Sequence, residues 1–233
     1  RYSNEIDLST SLIRNLFLKP TAIDYENYNN NTYWPGQINM IRGFGQNFTG
    51  SIVGGGEATK YNLSLGYMNE TGPAIGTKFN RVTGRFNFDY KLSDKLLFIS
   101  DISISADKKT SNYENTNSIS LVKAPVVPVF TEDMSGKPLS TFFFPGVNGF
   151  QGDVKNPVAL IYKALSTNSG NRIDGKVSVR YNPYKGVQFN SLVATTFEAL
   201  KQEKFLPLSA TGADFRRDQN IYLIINNQVN SGS

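Results

Sequence analysis

Apolar and polar residues alternate along several stretches of the chain, which is the pattern of a β-strand with one apolar and one polar face. In residues 82–92, one face carries Val, Gly, Phe, Tyr and Leu, and the other carries Thr, Arg, Asn, Asp and Lys. The same alternation marks residues 60–68, 96–106, 173–182 and 187–197, and a weaker form marks 5–13, 46–54 and 219–229. The pattern therefore predicts an all-β, antiparallel fold with about eight strands.

The lengths of these strands and of their connections indicate a membrane. The strands have about 9–11 residues, the length that a tilted strand needs to cross a bilayer, and this exceeds the usual strand of a soluble protein. Long connections (14–45, 69–80, 107–172, 199–218) alternate with short ones (55–59, 93–95, 183–186). Outer-membrane barrels have short turns on the periplasmic side and longer extracellular loops. We therefore predict transmembrane β-barrel strands with long extracellular loops.

Aromatic residues occur near the ends of the predicted strands, where the interface girdles of a membrane barrel would lie. They flank the short turns at Tyr90, Phe98, Tyr181 and Tyr184, and lie toward the long loops at Phe48, Tyr67, Phe197 and Tyr222. The alternative is that they pack across the core of a soluble sandwich.

The longest predicted connection, 107–172, contains local signals. Asn156 is a good N-cap residue and Pro157 suits the first helical position, so we predict a short helix near 156–165. A second short helix is predicted within 20–28. The apolar stretch Phe142, Phe143 and Phe144 either folds back onto its own protein or contacts a partner.

Composition excludes much catalytic chemistry. The 233 residues contain no His and no Cys, which excludes the usual zinc sites, His- or Cys-ligated haem and His-dependent nucleophiles. No pair of carboxylates, calcium loop or phosphate-binding loop stands out. The net charge of +5 is mild, and the only basic clusters are 108–109 and 216–217, so nucleic acid is not a predicted partner. We predict no enzyme, no catalytic residue, no cofactor and no metal site.

A series of motifs within 51–109 resembles a known family. The segment has a Gly-rich strand end at 54–56, a Y-x-L-S-x-G-Y strand at 61–67, Glu70 followed by Gly72, R-x-x-x-R-x-N at 81–87 and S-D-x-L at 93–96. Their order and spacing resemble the early barrel strands of the SusC/RagA-like TonB-dependent outer-membrane transporters. The likeness continues at Asn156-Pro157 and at Asn171-Arg172.

The resemblance implies a barrel of about 22 strands filled by an N-terminal plug. Residues 1–233 would then be an N-terminal part of the barrel, without the plug and the remaining strands, and 107–172 would be a long extracellular loop. The implied function is import of oligosaccharides or peptides across the outer membrane of a Gram-negative bacterium. TonB would energise the import, and a SusD-like surface lipoprotein would be the partner.

The alternation also assigns candidate site residues. The polar strand faces would line the lumen, with Arg85, Asn87, Asp89, Lys176 and Arg180 as lumen-facing candidates, while the apolar faces contact outer-membrane lipid. Candidates for contact with the lid, the SusD-like lipoprotein, are Phe142, Phe143 and Phe144.

Two alternatives remain open. The first is a complete eight-stranded outer-membrane barrel with a structural or adhesive role, in which 5–13 would pair with 219–229. The second is a soluble, carbohydrate-binding β-sandwich. Residue 1 is Arg, so we expect that a targeting segment was removed or that the chain is a piece of a larger protein.

Overall fold

A seven-stranded antiparallel sheet dominates the structure, a computed structural model that describes residues 14–15, 18–21, 25–40, 42–133, 137–145 and 149–212 and the backbone of 222–232. Its strands follow one another in chain order as a simple meander. They are β1 Phe44–Gly55, β2 Thr59–Thr71, β3 Lys78–Ser93, β4 Leu96–Thr110, β7 Leu165–Tyr184, β8 Val187–Phe205 and β9 Tyr222–Gly232.

The remaining elements are short and lie outside this sheet. Phe130–Glu132 (β5) and Pro138–Phe142 (β6) pair as a two-stranded antiparallel sheet, and the helical elements have between three and seven residues. No helix in the described ranges is long and apolar enough to cross a membrane. These elements are β5 Phe130–Glu132, β6 Pro138–Phe142, a 3₁₀ turn Tyr25–Asn27, α1 Trp34–Ile38, α2 Thr116–Val122, α3 Pro157–Lys163 and α4 Leu208–Thr211.

The predicted all-β, antiparallel fold is confirmed, but several predicted strand limits are wrong. Strand β7 begins at Leu165 rather than at 173, and β4 continues to Thr110 rather than stopping at 106. Apart from Leu165, the added residues are polar or Gly on both faces of the strand, so they carry no alternation. The loop predicted over 107–172 is therefore restricted to 111–164. The predicted strand 5–13 lies outside the described residues. Within the helix predicted over 20–28, residues 22–24 lie outside the described residues and Tyr25–Asn27 form a 3₁₀ turn.

The connections alternate in length, as the sequence predicts. Residues 56–58, 94–95 and 185–186 form tight turns at one end of the sheet, and 72–77, 111–164 and 206–221 connect strands at the other end. Gly186 in the last tight turn has φ +86°, a conformation that side-chain-bearing residues rarely adopt. Among the described strands the sheet is open, with β1 and β9 at its edges.

The buried hydrophobic residues lie outside the seven-stranded sheet. Every buried apolar side chain of the described residues belongs to 18–40, 111–164 or 206–212, which we call the loop layer. They are Leu18, Tyr28, Trp34, Ile38, Val126, Val127, Phe143, Val158, Ala159, Leu160, Leu206 and Ala210. Among the described residues, the water-excluded core therefore lies at the long-loop end, and the seven-stranded sheet contributes no buried apolar side chain to it.

Two aromatic side chains from the segment before β1 anchor this core. The ring of Tyr28 makes edge-on contacts with Phe143 and Phe150, at centroid distances of 5.9 and 5.8 Å. Trp34 is 1% exposed, and its Nε1–H donates to the carbonyl of Ala124 at 3.0 Å. Residues 28–34 and the long loop are thus packed together although about 90 residues separate them in the chain.

Asn156 connects the helix α3 to this core, where the sequence predicts an N-cap. Its side-chain oxygen accepts hydrogen bonds from the backbone N–H groups of Val158 and Ala159. Its amide group donates to the carbonyls of Val129 and Phe143. A single buried carboxamide therefore satisfies the first turn of the helix and two strand-end carbonyls, which fixes the position of α3.

Candidate functional faces of the sheet

The strand register divides the sheet into two chemically different faces. Residues directly paired across an antiparallel ladder lie on the same face. Ile52, Leu63, Phe86 and Ile102 are paired in one row, and they define the apolar face. Asn62, Asn87, Asp101 and Lys176 form a row on the opposite side, and they define the polar face.

The apolar face is the more exposed of the two. Ile52 is 64% exposed and Leu65 is 61% exposed. On β4, the exposed Ile102 and Ile104 alternate with the half-buried Ser103. A one-sided antiparallel sheet in a soluble protein packs its apolar face on the core and exposes its polar face. The exposure is inverted here, as expected for a sheet whose apolar face contacts an apolar medium rather than a protein core.

The apolar face forms a band of limited height. On β3 it extends from Val82 to Leu92, which is about 34 Å along the strand at a rise of about 3.4 Å per residue. At strand tilts of about 35–45° this corresponds to about 24–28 Å, close to the apolar band of outer-membrane barrels. Aromatic pairs lie near its two edges, Phe48 with Tyr67 and Tyr90 with Phe98.

The polar face brings the predicted lumen residues onto one surface. Asn87 and Lys176 are in one row and are separated only by Asp101 on the strand between them. Arg85 is one row nearer the long loops and Asp89 one row nearer the short turns. Arg180 lies apart from the others, near the short turns, where it is paired with Leu97.

Opposite charges face each other across the strands of the polar face. Such cross-strand pairs stabilise a sheet by about 0.2–1 kcal/mol each. Four such pairs are directly opposed, and each joins one cation to one carboxylate, so the charges within each pair largely cancel. They are Lys60 with Asp89, Arg81 with Asp107, Asp101 with Lys176 and Arg172 with Glu198.

A charged group around Arg172 was not predicted from the sequence. Nε and Nη2 of Arg172 both donate to the carboxylate of Asp174 at 2.9 Å, and the hydroxyl of Thr196 donates to the same carboxylate at 2.8 Å. Arg81 is nearby and lies over the ring of Phe79 at 5.0 Å. The alternating Arg-x-Asp spacing is the signal that places both charges on one face.

Two depressions lie on the polar face. The first has a volume of about 360 Å³, and its charged lining is Arg81, Arg85, Asp107, Arg172, Asp174 and Glu198. The second has a volume of about 560 Å³, and its polar lining includes Lys60, Asn62, Asn87, Asp89 and Asp101. Three of the predicted lumen residues, Arg85, Asn87 and Asp89, thus line depressions.

Two buried oxygen atoms on this face lack a hydrogen-bond partner within the described residues. They are the side-chain oxygens of Asn62 and Asn168. A buried polar atom without a partner costs free energy. Both atoms therefore favour further polar contacts on this face. Within the described ranges, no group of three acidic side chains could hold a metal ion.

The apolar stretch Phe142–Phe144 folds back onto the loop layer. Phe143 is 6% exposed in the core, and Phe142 stacks on Phe130 with a centroid distance of 5.2 Å. Of the two alternatives left open by the sequence, the structure shows packing on the protein itself. The ring of Phe143 is not accessible to a partner in this conformation, and contact of Phe142 and Phe144 with a lid stays a prediction.

Lys123, which follows α2, is a buried cation in the loop layer. Lys123 is only 3% exposed, and its Nζ donates a hydrogen bond to the carbonyl of Val154. Burial lowers the pKa of Lys123 to about 8, and the nearby carboxylate of Asp153 opposes this effect. Because the pKa is lower in the folded loop than in an unfolded one, the unfolded loop binds more protons between pH 8 and the ordinary lysine pKa of 10.5.

We therefore expect the loop layer to become more stable as the pH rises from about 8 to about 10. The full contribution is about 3 kcal/mol, from about 1.4 kcal/mol for each pKa unit. The measurement is hydrogen exchange of the loop amides, corrected for intrinsic rates at each pH. In Lys123→Met the pH dependence should disappear. An equal pH dependence in wild type and variant would contradict the assignment to Lys123.

The described residues form an open antiparallel sheet with one exposed apolar face, one charged face and long loops at one end. This geometry is typical of a section of a transmembrane β-barrel. No family model matches the chain. A curated relative, TonB-dependent receptor P26 of Formosa agariphila, is 29% identical over 162 residues, which are 66% of this chain and 15% of the relative.

Two solved structures share the fold. The RagAB peptide importer in the "closed-closed" state matches with a TM-score of 0.61 and 15% identity, over 89% of this chain and 24% of that chain. A second structure of the RagAB peptide transporter gives a TM-score of 0.58 and 15% identity, over 83% of this chain and 21% of that chain.

These findings confirm the resemblance predicted from the motifs. The chain is similar to a fragment of the barrel of a SusC/RagA-like TonB-dependent transporter. It spans 15% of the curated relative and about a quarter of the RagAB chain in the first of these structures. The relatives are named as a receptor and an importer rather than as enzymes.

Proposed function

We propose that this chain is a section of the barrel wall of an active importer in the outer membrane of a Gram-negative bacterium. TonB energises the import, and a SusD-like surface lipoprotein covers the long-loop end. The observation that supports this proposal best is the inverted exposure of the two faces: Leu65 and Ile104 are exposed, whereas Ser64 and Ser103, the polar residues before them in each strand, are half-buried. Lipid outside and a polar lumen inside explain this inversion directly.

In this function the polar face contacts the material inside the barrel. Arg85, Asn87, Asp89, Lys176 and Arg180 are the residues that we propose for contact with the plug or the passing substrate. Because the face carries both signs of charge in opposed pairs, it suits a filling that is polar but not strongly charged. The partnerless buried oxygens of Asn62 and Asn168 support a filled lumen.

We propose peptides or oligosaccharides as the substrate. The similarity to a structure named as a peptide importer favours peptides. The long loops, which include 111–164 with its own core, lie at the end where a lid lipoprotein would bind. Phe142 and Phe144 are the proposed lid contacts in this layer.

The two alternatives have less support. A soluble sandwich requires a second sheet over the apolar face, whereas the second sheet of the described residues, β5–β6, lies in the long loop. A complete eight-stranded barrel requires pairing of 5–13 with 219–229, and 5–13 lies outside the described residues. The match to about a quarter of the RagAB chain favours a part of a larger barrel.

Import by the full-length protein tests the proposal. We expect a strain lacking the gene to lose uptake of either fluorescent oligopeptides or fluorescent oligosaccharides, and the plasmid-borne gene to restore it. Uptake should also stop in a strain without TonB, because active import needs energy transfer. Equal uptake of both substrates in wild-type and deletion strains would contradict import, and uptake without TonB would contradict the energy source.

A further inference from the structure

Lysine residues lie directly above the apolar band on the outward face. The last band row at the long-loop end contains Tyr67, Val82 and Ala106. The next row on the same face is polar from β1 to β8, where it ends the band, while β9 contributes Ile225 beside Lys201. Its members on β1 to β8 are Gln46, Asn69, Asn80, Lys108, Ser169 and Lys201. Lys78 lies one row further from the band.

The three cations, Lys78, Lys108 and Lys201, form a compact group, which we call the lysine patch. Lys108 and Lys201 are separated by the single strand that carries Ser169, and hence by about 9–10 Å at the usual strand spacing. Lys78 is paired with Thr110 and is therefore the diagonal neighbour of Lys108, at about 7–8 Å. One anionic group of moderate size can reach all three ammonium groups.

The charges of the lysine patch are only partly neutralised. Lys201 forms a salt bridge with Glu203. No salt bridge within the described residues involves Lys78 or Lys108. All three lysines are exposed on the outer side of the sheet. The patch thus offers a net positive surface at the boundary between apolar and polar surroundings.

We propose that the lysine patch binds the phosphate groups of a phosphorylated glycolipid in the outer leaflet of the membrane. The inference rests on the membrane placement proposed above. At this depth a lipid has its anionic headgroup, which attracts Lys and Arg side chains. The exposed apolar residues directly below, such as Val82 and Ile104, contact its acyl chains. A ligand that uses both surfaces at once is a lipid rather than free phosphate.

Binding of purified lipid A to the full-length protein in detergent tests the proposal. The variant Lys108→Gln/Lys201→Gln should bind lipid A about 25-fold more weakly, from about fivefold for each lysine near an anionic surface. The matched control is Lys95→Gln/Lys185→Gln, whose lysines lie at the short-turn end. The control should keep wild-type affinity. An equal affinity loss in both variants, or none in the first, overturns the inference.

Two further experiments distinguish lipid A from free phosphate as the ligand, and a charge effect from a structural effect of the substitutions. Glu203→Gln releases Lys201 from its salt bridge, so we expect lipid A to bind several-fold more tightly to this variant than to wild type. Millimolar inorganic phosphate should not displace lipid A, and displacement would overturn the lipid as the ligand. If the wild-type protein is absent from the outer-membrane fraction, the proposed function is refuted. If the protein is inserted but its affinity for lipid A does not depend on the lysine patch, this inference alone is refuted.

Discussion

Replacing Ile102 with lysine should destabilise the membrane-inserted protein by about 2–4 kcal/mol. Ile102 lies near the middle of the apolar band, in the row that contains Leu63 and Phe86, and it faces outward. A lysine at this depth must hold its ammonium group in hydrocarbon or deform the bilayer around it. The measurement is unfolding by guanidinium of the full-length protein in lipid vesicles, monitored by far-UV circular dichroism, which reports the loss of the strands.

The matched control is Ser103→Lys, one residue further along the same strand. Ser103 belongs to the polar face, where Asp174 is its direct partner on the next strand. A lysine there lies between Asp174 on one neighbouring strand and Arg85 on the other, so attraction and repulsion largely offset, and the change should cost less than 1 kcal/mol. If Ile102→Lys were no more destabilising than Ser103→Lys, the assignment of the apolar face to lipid would be wrong.

Trp34→Ala should unfold much of the loop layer while the sheet stays inserted. Truncating a buried Trp costs about 3–5 kcal/mol, and here the change also removes the hydrogen bond to the carbonyl of Ala124. The sheet should be unaffected because none of its described residues belongs to the apolar core. Hydrogen exchange with peptide-level mass spectrometry would show lost protection in 124–129 and 156–161 and unchanged protection in β3.

Tyr33→Ala is the control for this variant, because Tyr33 precedes Trp34 and is 73% exposed. Its loop layer should keep wild-type protection. If Trp34→Ala lowered the protection of β3 as much as that of the loops, the core and the sheet would form one cooperative unit. That result would contradict the separation described above.

Alternation predicted the centres of the strands well, because one face contacts a different medium from the other. It failed where both faces are polar. The first eight residues of β7, from Leu165 to Arg172, contain Ser, Thr, Asn and Gly on both sides and carry no period. Hydrogen bonds to β4 and β8 hold this part in the sheet, and such long-range pairing cannot be inferred from the local pattern.

The sequence alone predicts on which face of the sheet each site residue lies, but not which residues of other strands are its neighbours. Parity along one strand places Arg85, Asn87 and Asp89 together, and this is visible in the sequence. The row that joins Asn87 to Lys176 through Asp101 depends on the register across the long loop. The burial of Phe143 depends likewise on Tyr28, which is remote in the chain.

The location of the apolar core in the loop layer means that this one polypeptide folds against two different solvents. The residues around Trp34 and Asn156 exclude water in the ordinary way, so hydrophobic burial in an aqueous medium can stabilise them. The exposed band around Ile102 gains nothing from water and is stabilised only where lipid replaces it. Substitutions in the loop layer can therefore change its surface while the apolar band keeps its own, separate source of stability.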